Sequence, residues 1–259
     1  MKLKIIFNDN DERQDKFRRF VERVFPEIIS EENPDAYLVV GGDGAMLHAH
    51  KHYGDQDKLF IGKSLGTYNF IMNRFNDDFE IIDGLLKDKI NPTVIEIPKI
   101  KVAVNHIDEK IKEVDAINDI VIGDSVMDYH HFKVNSEMGT FKNFKFKGMG
   151  VCTSTPLGST AFNLNNGGVV TPLDSNLWSI TSICSNRRID EIVKPQKIKF
   201  TILETRGDPI CYVDGTAHKI YLREGSEVTL TESKNVLKLG FLDIKKFFKR
   251  RLKLIHEKR

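Results

Sequence analysis

The hydrophobic period of this chain changes once, near Pro92, and that change limits its possible folds more than any other feature. Before it, strand-length apolar runs alternate with stretches of helical period. Leu3 to Phe7 reads as a buried strand, Phe17, Phe20, Val21 and Val24 as one helix face, and Tyr37 to Val40 as a second strand. Ala45 to Tyr53 follows as a helix, Leu59 to Ile61 as a third strand, and Phe79, Ile82, Leu85 and Leu86 as another helix. Such alternation predicts an α/β domain, Rossmann-like or flavodoxin-like, with a mainly parallel sheet. After Pro92 the runs are short and alternating: Val94 to Ile97, Lys101 to Val104, Ile111 to Ile117, Ile120 to Ile122, Phe141 to Phe146, Ile198 to Leu203 and Cys211 to Val213. They predict an antiparallel all-β domain, with one or two helices around residues 160–185. The expected organisation is residues 1–95 as the α/β domain, 96–235 as the β domain and 236–259 as a separate C-terminal segment.

With 259 residues the chain can bury two modest cores. A net charge of +2 supplies no overall attraction to nucleic acid or membrane. The first apolar run is cut short by acidic residues, and no segment has the length of a membrane span. Cys152, Cys184 and Cys211 are odd in number and form no CxxC pair, which argues against a disulfide framework or a zinc site and for a reduced, cytoplasmic setting.

The second predicted strand ends in Gly41-Gly42-Asp43-Gly44, and a helix follows. Glycines allow a tight turn and close backbone approach, and a helix N-terminus offers free N–H groups to phosphate. Asp43 repels an anion there unless it has chemical work, either at Mg²⁺ or as acceptor of a proton from an attacking hydroxyl. The plain alternative is a turn whose Asp caps the next helix. Gly62-Lys63-Ser64 imitates the end of a P-loop, but Asp57 stands where its first glycine belongs. A second cluster lies at residues 148–168, where Thr153, Ser154, Thr155, Ser159 and Thr160 accompany Pro156 and Gly158; such hydroxyls can face ribose or phosphate oxygens. Asn118-Asp119 interrupts apolar strands, which is costly unless the pair is used. Val213-Asp214-Gly215 reads as a hairpin turn. His48 and His52 share a helix face, but no third ligand accompanies them, so His48, His50 and His52 are expected to be solvated or close to phosphate.

GGDG, Asn-Asp, the stretch Ser154-Thr155-Pro156-Leu157-Gly158-Ser159-Thr160-Ala161 with its later Gly167-Gly168, and Val-Asp-Gly occur in an order that resembles the NAD kinase family, over residues 37 to 220. GGDG alone also suits lipid and diacylglycerol kinases. The resemblance implies an α/β domain, a C-terminal β-sandwich and a last segment that returns to the first domain. It implies transfer of the ATP γ-phosphoryl group to the 2′-hydroxyl of the adenosine ribose of NAD, a divalent cation such as Mg²⁺ arriving with ATP, and a homodimer or homotetramer. It further implies Asp43 as general base, Gly44 in the phosphate loop, His48 near a phosphate, Asn118 and Asp119 at the ribose, and Thr160, Ala161, Phe162, Asn163 and Asn165 around the adenine. Met149 and Ile183 fall at positions lining the dinucleotide site.

Several positions depart from the family pattern. Met149 stands for an Asp between glycines, Asp119 for Glu, Phe162 for Tyr, Ala45 for Thr or Asn, and Asn165-Asn166 for Ser-Ala; Gly66-Thr67-Tyr68-Asn69-Phe70 matches only loosely, with Asn69 in a glycine position. They keep two alternatives open: a dinucleotide-binding protein without turnover, and a related kinase acting on another hydroxyl. In the basic tail, Ile244, Phe247, Phe248, Leu252 and Ile255 form a helical stripe that is expected to pack on the body.

Overall fold

A computed structural model describes residues 1–7, 12–54, 57–66, 69–105, 112–124 and 128–258. The chain forms two compact units: residues 1–96 with 237–259, and residues 97–236.

In the first unit, strands β1 (Leu3–Ile6), β2 (Ala36–Gly41) and β3 (Leu59–Ser64) pair in parallel, and the end of the long strand β14 (Glu227–Phe241) adds a fourth parallel member beside β3. All six residues of β2 are buried, as its continuous apolar run requires. Phe17 and Val21 of α1 (Asp15–Val24), Ile28 of the short α2 (Glu27–Ser30), and Ile82 and Leu85 of α4 (Asp78–Leu86) share a core with Leu3, Ile5, Leu38, Val40 and Ile61. Helix α4 starts at a true cap: the Asp77 side chain accepts the Glu80 N–H. Helix α3 (Asp43–Tyr53) carries the buried Met46 and Ala49, and its Tyr53 ring packs on Tyr37.

The second unit is antiparallel, and together with the first gives an α/β plus β-sandwich architecture. Its strands are β5 (Lys112–Ala116), β6 (Asp119–Gly123), β7 (His130–Ser136), β8 (Phe144–Ser154), β9 (Trp178–Ser185), β10 (Asp190–Val193), β11 (Ile198–Glu204), β12 (Ile210–Val213) and β13 (His218–Tyr221), with parts of β4 (Thr93–Asn105) and β14. β8 pairs with β6, β7 and β9, and β12 joins β6 to β13. Trp178, Ile180, Phe132, Phe146, Phe200 and Val213 belong to its core.

Several expectations change. The two runs around Pro98 form one strand, β4. Strand β8 begins at Phe144 rather than Phe141 and continues to Ser154, taking in Thr153 and Ser154 of the hydroxyl cluster. Helix in residues 160–185 is confined to Phe162–Asn165 (α5) after a 3-10 turn at Gly158–Thr160, and Trp178–Ser185 is a strand. The β-branched residues of that segment fit the pleated sheet better than a helix. Ile111, Thr67 and Tyr68 lie outside the described residues. Among the described residues no helix is long and apolar enough to cross a membrane.

The C-terminal segment forms helix α6 (Ile244–Lys258) within the first unit. Phe247 is buried and stacks near Phe241. The inward stripe differs from the expected one: Leu252 is exposed, and Arg251 is buried at 4% exposure.

Candidate active site

The glycine turn takes its shape from backbone requirements. Gly41 has φ +142°, and a Cβ there would lie 2.8 Å from the Ala45 Cβ. Gly42 is the N-cap of α3, and Asp43 opens the helix without making a side-chain capping bond. Its carboxylate turns instead to the segment after β3: Oδ2 accepts the Phe70 N–H at 2.8 Å and Oδ1 the Ile71 N–H at 3.2 Å. The capping alternative is thereby excluded. Gly44 is exposed, and a Cβ added to it would meet nothing within 4 Å, so packing does not demand glycine there.

The segment that holds Asp43 is itself held. Asn73 donates its side-chain amide to the carbonyls of Gly62 and Gly240 and accepts the Leu242 N–H. The Asn69 amide donates to Ser64 Oγ and to the Gly66 carbonyl. From α6, Arg251 donates to the Phe70 carbonyl at 3.3 Å, and Arg250 donates to the Met72 carbonyl. Burial raises the Asp43 pKa, while the two N–H donors and the charges of Arg251 and Arg250 pull against that rise. The Lys63 ammonium lies 2.6 Å from Asp78, so the P-loop imitation has no free lysine to offer a phosphate.

Of the histidines, His50 is buried against Phe60 beneath Gly54, contrary to the expectation that all three are solvated or near phosphate. His48 and His52 are exposed, with Nε2 atoms 3.4 Å apart. Among the described residues no group of three His, Cys, Asp or Glu side chains converges as a metal site.

In the second unit the motif residues bind one another. The Asp214 carboxylate accepts the N–H groups of Ile117, Asn118 (2.7 Å) and Asp119. Thr155 ties the other side of this segment, donating Oγ1 to the Ile117 carbonyl at 2.6 Å and N–H to the Asn118 carbonyl at 2.9 Å. Gly158 passes so near that a Cβ would lie 2.0 Å from the Asn118 carbonyl oxygen. The β12–β13 connection is the expected hairpin turn, with Asp214 and Gly215 at φ +53° and +66°. Its aspartate also clamps the Asn-Asp segment.

Asp119 is 3% exposed, and its carboxylate accepts the N–H groups of Gly215 and Phe162. Burial and the neighbouring Asp214 charge raise its pKa to about 7; burial likewise raises Asp214 to about 6. The hydroxyls of Thr155, Ser159 and Thr160 donate to backbone carbonyls rather than facing outward, which corrects the reading of that cluster as a row of ligand donors. Asn163 is fully buried: Nδ2 donates to the Ser159 and Val169 carbonyls, and Oδ1 accepts Ser179 and Thr181. Asn118 and Ala161 are half-buried, and Phe162 and Asn165 are exposed. Met149 and Ile183 are half-buried on the adjacent strands β8 and β9; Ile183 lies opposite Gly150, so alternation puts Met149 on the other face.

Residues 90–240 match the model of the ATP-NAD kinase C-terminal domain, which covers more than half of the chain. This chain belongs to the ATP-NAD kinase family. The NAD kinase of Rickettsia bellii is 28% identical over 213 residues, 81% of this chain and 80% of that protein. The NAD kinase of Fusobacterium nucleatum is 27% identical over 263 residues, 96% of this chain and 94% of that protein. Two solved structures share the fold. Yeast NADH kinase, complexed with NADH, superposes with a TM-score of 0.79 at 17% identity, over 98% of this chain and 87% of that one. An NAD kinase from Archaeoglobus fulgidus, in complex with ATP, gives 0.74 at 18% identity, over 99% of each.

Three residues that hold these segments, Asp214 in the second unit and Arg250 and Arg251 in the first, are absent from the site residues expected from sequence. Asp214 was legible only as a turn residue. Arg250 and Arg251 carry the one available signal, charge inside the tail's apolar stripe, and it is masked by the basic residues around them.

Proposed function

We infer that the protein phosphorylates NAD with ATP, moving the γ-phosphoryl group to the 2′-hydroxyl of the adenosine ribose to give NADP. The observation that carries this reading is Asp43: a half-buried carboxylate at the first turn of α3 that does not cap the helix and is acted on by the charges of Arg251 and Arg250, beside a glycine turn with open space at Gly44. In our assignment Asp43 accepts the hydroxyl proton as the oxygen attacks phosphorus. Burial raises its pKa, which strengthens it as a base. The free N–H groups of the first turn of α3 and Gly44 receive phosphate, with His48 on the same helix available to it.

In the second unit Asn118 is assigned to the ribose hydroxyls. Asp119, one methylene shorter than Glu and occupied by Phe162 and Gly215, sets the position of Asn118 and of the α5 turn. Phe162, Ala161 and Asn165 are assigned to the adenine, Ile183 to a wall of the dinucleotide site, and Thr160 and Asn163 to the support beneath them; Met149, on the opposite face of the sheet from Ile183, is left out of that wall. A hard divalent cation prefers several oxygen ligands. Beside the glycine turn the described residues offer the Asp43 carboxylate, which already accepts two N–H groups, so this donor set fits a cation carried by the triphosphate, such as Mg²⁺, whose charge screens the phosphates. We further propose a homodimer or homotetramer, as the resemblance implies, and a cytoplasmic location, supported by three free cysteines.

The test is NADP formation by the purified protein from ATP·Mg²⁺ and NAD. Asp43→Asn is expected to lower kcat by about 10²–10⁴-fold with NAD affinity retained. NAD binding without NADP formation in the unmodified protein would sink the kinase reading in favour of a binding-only protein.

A further inference from the structure

We infer that Arg251 is a positioning residue for Asp43, holding the carboxylate in place and ionised through a clamp on residues 70–72; this rests on the reading of Asp43 as the base. The clamp closes on itself. Phe70 and Ile71 donate their N–H groups to the two Asp43 oxygens. The carbonyl of that same Phe70 accepts Arg251, and the carbonyl of Met72 accepts Arg250. One short stretch of backbone therefore faces the base with its donors and the C-terminal helix with its acceptors. The buried guanidinium of Arg251 is costly to place there unless an anion offsets it, and the Asp43 charge acts on it in that sense.

Among the described residues the charged groups acting on Asp43 are Arg251 and Arg250, both from α6; the 70–72 segment contributes backbone N–H groups. Arg74 opposes Arg250. Burial lowers the Arg251 pKa to about 10, which leaves it cationic at neutral pH. An arginine suits this position because its fork can donate to a carbonyl while its delocalised charge still acts on the carboxylate. The assignment also gives the basic tail a second use, beyond packing Phe247 on the sheet.

The experiment is the pH dependence of kcat/KM for NAD phosphorylation in the full chain, with Arg251→Met, Arg251→Lys and Arg250→Met alongside the unmodified protein and Asp43→Asn. Removing the cation removes a force that lowers the Asp43 pKa, so the acid limb should move to higher pH by about one unit in Arg251→Met. Arg251→Lys should keep the limb near its original position, and the KM for NAD should change less than kcat. If Arg251→Met does not fold, the same limb is read in Arg251→Gln and Arg250→Met. A limb that stays in place while thermal stability falls assigns Arg251 a packing role only and overturns the inference. Near-normal turnover of Asp43→Asn would instead remove the base itself, so the two failures are distinguishable.

Discussion

Asp119 and Asp214 are two carboxylates buried within one clamp, and their charges oppose each other. A folded-state pKa above the unfolded value means that the folded chain binds protons more tightly. The stabilisation is complete below the usual carboxylate range near pH 4 and is lost as pH rises through about 6 to 7. Asp119→Asn removes one charge while leaving an oxygen to accept the Phe162 and Gly215 N–H groups. Between pH 4.5 and 8, taken as about the range spanning both titrations, the unmodified protein should lose about 1–3 kcal/mol more stability than this variant. Urea unfolding across that range checks it, and parallel curves for the two proteins would sink the idea. The same geometry shows why residue roles were unevenly legible. A carboxylate in an anion-binding turn announces a function by its type, so Asp43 stands out in the sequence. Asp214 does not, because a hairpin aspartate is commonplace until its three backbone donors are seen.

At the scale of elements, the glycine turn separates structural from functional glycine. Gly41 sits at a positive φ against Ala45, so Gly41→Ala should cost about 1–3 kcal/mol. Gly44→Ala has room for its methyl and places a better helix former in α3, so the melting temperature should hold or rise. Its KM for ATP should nonetheless rise on the order of tenfold, because the methyl occupies space assigned to phosphate. Unchanged ATP kinetics in a stable Gly44→Ala protein would move the phosphate elsewhere. In the second unit, Asn163 joins α5 to β9 through four internal hydrogen bonds, and Asn163→Ala should destabilise by about 2–4 kcal/mol, read by chemical denaturation. A loss within a few tenths of a kcal/mol would mean that water replaces the amide there. Strand β9 is not legible as a strand in the sequence because a short apolar run does not reveal its own period; the ladder with β8 decides it.

For the whole molecule, each unit closes its own core. One runs from Leu3 to Leu85 with contributions from helices α1, α2 and α4, and the other comprises residues between Ile100 and Leu230. Residues 97–236 form an uninterrupted stretch of chain, so they are expected to fold alone and unfold cooperatively, with near-ultraviolet circular dichroism from the buried Trp178. A fragment lacking that signal would show that its core is insufficient. The first unit is discontinuous and needs residues 237–259 to complete it, since β14 supplies its fourth strand and α6 its buried Phe247.

Periodicity alone determined that an α/β half precedes an antiparallel β half, because period 3.6 and period 2 are written locally in the order of apolar residues. The ordered motifs alone determined the family, because tight turns and anion loops need particular residue types at particular places. What only the tertiary structure decided is which polar side chains are already spent. Thr155, Ser159 and Asn163 have theirs taken by backbone and neighbouring side chains, whereas Asn118 and Phe162 keep a face outward. Tertiary structure also decided that Arg251, some 200 residues from Asp43 in the chain, is buried where its charge acts on that carboxylate. A hydrogen-bond partner or a countercharge is a matter of distance in space, and no local pattern of residues records it.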